Sequence, residues 1–234
     1  MNKKILLILG AKSDIGIATA HKFAKEGFDI QLAARNSKKL KNDSSDINIR
    51  YGVDVTLHEL DALDFISHEQ FVRSLPKLPS VVVSAIGALG IQQDGEIDSR
   101  KAIEVIRTNY EGVVSIFGSF ANHFKKRGYG TLIGISSVAG DRGRASNYIY
   151  GSAKAGLSAF LSGLRNRLYP FGVNVITVKP GFVRTKMTSN LHLPKYLTTN
   201  PKNVAESIYL AYKNKKQTIY VMKVWFYIMK IIQL

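Results

Sequence analysis

The chain contains no cysteine. That excludes disulfides, thiolate-bound metals and thiol nucleophiles at once, and it fits a reducing compartment. The five histidines, His21, His58, His68, His123 and His192, lie far apart. No HxH or HExxH spacing occurs, so no metal site is expected. Long apolar runs are also missing. Nothing reaches the roughly 18 apolar residues of a membrane-spanning helix. The apolar run that starts at Ile5 ends at Gly10, too early for a signal peptide. A cytoplasmic protein is the expectation. Acidic residues are scarce, 17 against 33 Lys and Arg, for a formal net charge of +16. Such a chain favours polyanions: nucleic acid, an anionic membrane surface or a phosphorylated ligand. Its lysines are spread along the sequence without arm or finger spacing, which argues against specific nucleic-acid binding.

What is present is a 45% hydrophobic chain of 234 residues, enough for one domain with a sizeable core. Ile5 to Leu9 is short and continuously aliphatic, the pattern of a parallel strand buried on both faces. Gly10-Ala11-Lys12-Ser13-Asp14-Ile15-Gly16 follows, and then a helical stretch to Gly27. A strand, a glycine turn and a helix N-terminus can cradle a phosphate with bare backbone N–H groups. A plain strand-to-helix turn is the alternative. Asp29 to Ala34 reads as the second strand. It ends not on an acid that would hold ribose hydroxyls but on Ala34-Arg35. Arg35 and Lys12 suit a 2′-phosphate, which favours NADPH over NADH; a merely solvated Arg35 is the alternative.

Lys38 to Tyr51 reads as a polar helix stopped by Gly52. A third strand around Val53, Val55 and Leu57 should end near Leu60-Asp61-Ala62, where Asp61 is placed for an adenine edge. Further strands are expected at Ser80–Ile86, Thr131–Ile135, Val173–Val178 and Thr218–Met222. Arg100 to Lys126 reads as one long helix with a core stripe of Ile103, Ile106, Tyr110, Val113, Val114 and Phe117. Asn109 inside it is a poor helix residue and hints at a task. Tyr148 to Tyr169 is a second long helix. It places Tyr150 and Lys154 four residues apart on one face. A cation there should lower the Tyr pKa and make the phenol a usable proton donor. Ser137 can add a second hydrogen bond to the same oxygen. An exposed i,i+4 pair is the bland alternative. The strand–helix alternation predicts a single α/β domain, a doubly wound parallel sheet with helices on both faces, over residues 1–222.

Gly10, Gly16, Asn109, Ser137, Tyr150, Lys154 and Pro180-Gly181, in this order and spacing, resemble the short-chain dehydrogenase/reductase family. The resemblance covers almost the full length. It implies a Rossmann-type fold and hydride transfer between NAD(P) and a carbonyl or alcohol. It also implies roles: Tyr150 as proton donor, Lys154 holding the nicotinamide ribose, Ser137 orienting the carbonyl and Asn109 in a proton relay. Gly10, Lys12, Ser13, Asp14, Ile15, Gly16, Arg35, Asp61, Ala62, Ala85, Gly87, Pro180, Gly181, Val183 and Thr185 are the expected cofactor residues, together with Tyr150 and Lys154. Two departures stand out. Asp14 replaces a glycine of the family's TGxxxGxG loop, and Leu9 replaces its threonine; Asp14 is expected to cap the following helix. Ser84-Ala85-Ile86-Gly87 stands where the family has Asn-Asn-Ala-Gly.

Gly87 to Gly90, Asn109-Tyr110, Ser136 to Arg144, Tyr148 to Gly156 and Arg184 to Met187 look more narrowly like decaprenylphosphoryl-2-keto-ribose 2-reductases. Those enzymes reduce a lipid-linked keto-sugar in cell-envelope synthesis, after a flavin oxidase partner has made the ketone. Arg142, Arg144, Arg184 and Lys186 are candidates for a substrate phosphate. A general or 3-oxoacyl ketoreductase, or a non-catalytic NADPH-binding regulator, are the competing functions. The resemblance suggests a homo-oligomer. The apolar C-terminal segment 223–234 holds Trp225, Phe226 and Tyr227 between Lys223 and Lys230. It is expected either to pack on the domain or a partner subunit, or to lie at an anionic membrane surface, with peripheral contact at the inner membrane.

Overall fold

The computed structural model describes residues 3–233. Met1, Asn2 and Leu234, which the expected segments include, lie outside the described residues. The first half of the chain is β1 (Ile5–Leu9), α1 (Asp14–Lys25), β2 (Asp29–Ala34), α2 (Lys41–Tyr51), β3 (Val55–Glu59), α3 (His68–Ser74) and β4 (Val81–Ser84). The second half holds α4 (Gln92–Ile97), α5 (Ser99–Ile106), α6 (Gly112–Arg127), β5 (Gly130–Ile135), α7 (Tyr148–Leu168) and β6 (Val173–Pro180). It closes with β7 (Phe182–Val183), β8 (Thr198–Thr199), α8 (Pro201–Lys213), β9 (Thr218–Val221) and α9 (Lys223–Ile232).

Seven strands form one sheet in the order β3-β2-β1-β4-β5-β6-β9, and every pairing in it is parallel. The order reverses beside β1, which opens a crevice at the carboxyl ends of β1 and β4 where such sheets bind ligands. This is the doubly wound, Rossmann-type sheet expected from the sequence.

β1 shows why its apolar run is unbroken. Leu6 and Ile8 enter the cluster under α1, α2 and α8, while Leu7 and Leu9 enter the one under α6 and α7. A strand covered on both sides has no polar face to show.

The expected helix over 100–126 is three pieces. α5 and α6 are joined by a wide turn, Arg107–Glu111, closed by the Gly112 N–H donating to the Arg107 carbonyl five residues back. Ile103 in α5, expected in the core, is 52% exposed. Ten residues at the end form α9, and its sides differ. Trp225 and Met229 are buried against Val138 and Phe182, whereas Tyr227 and Ile231 are exposed. A Cβ at Gly181 would stand within 1.9 Å of Trp225 Nε1, so only glycine lets the indole lie on that turn. One face of α9 thus packs on the domain.

Candidate active site

A cleft of about 550 Å³ lies along the carboxyl ends of β1, β4, β5 and β6. Gly10 starts its floor with φ +76°, and a Cβ there would meet the Ala85–Ile86 peptide at 2.8 to 2.9 Å. Glycine is therefore needed for both reasons. Ser13, not Asp14, caps α1, its hydroxyl accepting from the Gly16 N–H at 3.0 Å. The expected cap is corrected for a simple reason. Asp14 already lies in the first turn, where its carboxylate suits the helix dipole and points across the cleft. There it accepts from the Lys186 N–H at 2.6 Å and lies 3.8 Å from that residue's ammonium.

Lys12, Ser13, Asp14, Ile15, Arg35, Asp61, Ala62, Ala85 and Gly87 line the same cleft, with Pro180, Gly181, Val183 and Thr185 on its other wall. Gly16 sits behind, under Ser13 and Ile8. Lys12 Nζ donates to the Arg35 carbonyl at 3.2 Å. Arg35 itself is exposed and enters no ion pair among the described residues. Glu59, which sequence reasoning passed over, accepts from the Asn36 and Ser37 N–H groups at 2.5 and 2.9 Å. It fixes the turn that carries Arg35, and those two bonds hold its carboxyl below the usual range. Asp61 turns its carboxylate back onto the Leu63 N–H at 2.9 Å.

Ser137, Tyr150 and Lys154 meet at the inner end of the cleft. Ser137 follows β5 in an extended conformation, its hydroxyl accepting from the Ala139 N–H at 3.1 Å and facing the Pro180 carbonyl at 3.5 Å. Tyr150 and Lys154 project from α7, the ammonium 5.6 Å from the phenol ring centre. Lys154 is 3% exposed and donates to the Ile135 carbonyl at 3.0 Å. Burial pushes the Lys154 ammonium down to about 8. It pushes the Tyr150 phenol up to about 12, with the Ser137 hydroxyl opposing. The expected lowering of the phenol by the cation is thus reversed in the protein's own surroundings. Desolvation outweighs an ammonium whose donor is already engaged elsewhere. The phenol is protonated across the physiological range, which is the form a proton donor needs.

Asn109 is wholly buried in the wide turn between α5 and α6. Its Nδ2 donates to the Ala88 and Val105 carbonyls at 2.6 and 2.8 Å. It stands behind the Gly87-Ala88 wall rather than against Tyr150. A Cβ on Gly87 would sit 3.0 Å from Asn109 Oδ1 and 3.6 Å from Lys154 Nζ, so the wall is thin where the two approach.

The four candidate phosphate partners separate. Arg144 and Lys186 line the cleft. Arg142 does not; its guanidinium donates to the Ile232 carbonyl at 2.5 Å, capping α9. Arg184 is exposed outside the cleft, its backbone paired to Thr199. Lys186 is already drawn to Asp14. Sequence reasoning also missed Asn147, which lines the cleft and has a buried Oδ1 without a hydrogen-bond partner among the described residues. Its place three residues before Tyr150 was the available signal.

The family model for short chain dehydrogenases matches residues 4–195. An uncharacterized oxidoreductase of Mycobacterium tuberculosis is 36% identical over 219 residues, covering 92% of this chain and 87% of its own. An NADP-dependent 3-hydroxy acid dehydrogenase of Schizosaccharomyces pombe is 26% identical over 234 residues, covering 94% and 90%. Among solved structures, a short-chain dehydrogenase from Sphingobium yanoikuyae in complex with NADPH superposes with a TM-score of 0.83 at 23% identity, covering 94% of this chain and 88% of that one. At that identity the superposition speaks for the fold; the matched model and the 36% identical relative speak for descent. This protein is an oxidoreductase of the short chain dehydrogenase family.

Proposed function

We propose that the protein reduces a ketone to a secondary alcohol with NADPH. The observation that carries this is the convergence of Ser137, Tyr150 and Lys154 at the inner end of a cleft that begins in a glycine cradle. When bound, the nicotinamide supplies a hydride. The chain's own residues do the rest. Ser137 and Tyr150 hold the carbonyl oxygen by hydrogen bonds, and Tyr150 gives it a proton as charge develops there. Lys154 would hold a ribose hydroxyl. Asn109 keeps the Gly87-Ala88 wall in place beside it. Gly10, Ser13 and the first N–H groups of α1 would hold the pyrophosphate. Lys12 and Arg35 would hold the 2′-phosphate, which supports NADPH over NADH; the S. pombe relative is named for NADP dependence.

The substrate end supports a large amphiphilic ketone. Leu89, Phe182, Met187 and Leu191 line it beside Arg144, so apolar contact and one cation are both offered. This fits a keto-sugar carried on a polyprenyl phosphate, supplied by an oxidase. The exposed residues of α9 would then meet the lipid surface. A 3-oxoacyl substrate would use the same apolar residues without needing Arg144. Fluorescence titration with NADPH and NADH, followed by a carbonyl screen, tests the reading. The expected result is tighter NADPH binding and turnover of bulky ketones. Arg35→Asp should shift the ratio of the two dissociation constants toward NADH by roughly 10- to 100-fold, since it removes a charge-assisted bond and adds repulsion. An unchanged ratio clears Arg35 of the role.

A further inference from the structure

Four residues after Ser137, the chain buries a charge that the reaction does not use. Asp141 has a side chain only 3% exposed, and both its carboxylate oxygens are engaged. Oδ1 meets the Lys179 ammonium at 2.5 Å, and Oδ2 accepts from the Tyr220 hydroxyl at 2.7 Å. Lys179 is the residue before the Pro180-Gly181 turn, its side chain 14% exposed. Tyr220 lies opposite it on the neighbouring strand, in register, and the ammonium rests 5.3 Å from its ring. Three elements therefore converge on one carboxylate: the turn after β5, the end of β6, and β9.

The backbone around Asp141 is tied down as well. Its N–H donates to the Val138 carbonyl at 3.1 Å, and its carbonyl accepts from Gln233 beyond the end of α9 at 3.1 Å. Val138 packs with Trp225 and Met229. Ser137 sits at the start of this braced turn, and its hydroxyl faces Pro180, the residue after Lys179. Removing two charges from water is costly unless geometry repays it, so hydrophobic residues would serve plain stability as well or better. The pair sits where the turn after β5 meets the end of β6.

We propose that Asp141, through Lys179 and Tyr220, is a positioning residue that fixes the Ser137 hydroxyl relative to Tyr150 and the Pro180-Gly181 turn. This rests on the ketoreductase reading for its kinetic consequence, but its structural consequence stands alone. A carbonyl-orienting hydroxyl displaced by about 1 Å can lose on the order of a hundredfold in rate. Asp141→Asn keeps the shape and removes the charge that holds Lys179. Tyr220→Phe removes one bond and leaves the ion pair intact, for the case in which the first variant does not fold. Asp141→Asn with Lys179→Gln removes both charges.

The test measures kcat and KM on a ketone that the wild type reduces, the NADPH dissociation constant, the melting temperature and a crystal structure of each folded variant. Expected are a roughly 10- to 100-fold fall in kcat with NADPH affinity held within about threefold, and a smaller fall for Tyr220→Phe. The double variant should recover melting temperature while kcat stays low. In the crystals Ser137 Oγ should leave the Pro180 carbonyl. A kcat that tracks melting temperature alone, or a Ser137 that stays in place in every variant, overturns the proposal. A wild type that reduces no carbonyl counts against the ketoreductase reading; the position of Ser137 in the variants then decides the positioning claim.

Discussion

Burial sets opposite limits on the two residues of α7. Lys154 is held near 8 against 10.5 for an ordinary lysine. Between those values the unfolded chain binds a proton that the folded chain does not, so stability from this group rises with pH across that window. The full swing is on the order of 3 kcal/mol. Tyr150 behaves in the reverse sense: its phenol, raised from 10.0 to about 12, makes stability fall as pH climbs through that range. Denaturant unfolding of the wild type and of Lys154→Met, compared from neutral pH to 10.5, should show the wild type gaining on the variant. Parallel curves would place the Lys154 ammonium in water. Arg144 allows a sharper question about substrate. Arg144→Ala should raise KM for a phosphorylated ketone more than for a small neutral one. Equal effects would take Arg144 out of substrate recognition.

Elements show what a sequence does and does not disclose. Tyr150 and Lys154 were legible because helical spacing is local, and β1 because a doubly covered strand has no polar alternation. Ser13 as the cap and the Asn200-Pro201 start of α8 also carried local signals that were not used. The wide turn at Arg107–Glu111 was legible only as a misfit, Asn109 inside an apolar stripe. The Asp14–Lys186 bond spans 172 positions, and the Asp141–Lys179 pair joins the turn after β5 to the end of β6. Contacts of that kind leave no period, and only the fold brings them together. α9 was legible as an apolar segment, but the choice of face depends on Gly181. Its buried face makes a separate prediction. Trp225→Ala should cost about 3 to 5 kcal/mol, the range for a buried aromatic truncated to alanine. A loss under 1 kcal/mol would mean that the indole is not packed on Gly181.

At the scale of the whole molecule, the sheet brings together groups from every part of the chain. β1 leads to Gly10, β2 leads to Arg35, β5 delivers Ser137 and β6 ends in Pro180. The chain carries a formal net charge of +16, and α9 leaves apolar residues on its outer face. No helix is long and apolar enough, among the described residues, to cross a membrane. If the lipid-linked reading holds, the protein should sediment with anionic vesicles at low salt and be released as salt screens the charge. Tyr227→Ser with Ile231→Ser should abolish sedimentation and leave the melting temperature and NADPH affinity unchanged. Sedimentation that survives both substitutions would assign the binding to charge alone.

Tyr150→Phe puts the central claim to its most direct test. NADPH binding and NADPH-driven reduction of one ketone are measured side by side in the wild type and the variant. The account predicts equal NADPH affinity and a loss of about two to four orders of magnitude in turnover, because only the proton donor has gone. A variant that reduces the ketone at the wild-type rate would contradict it.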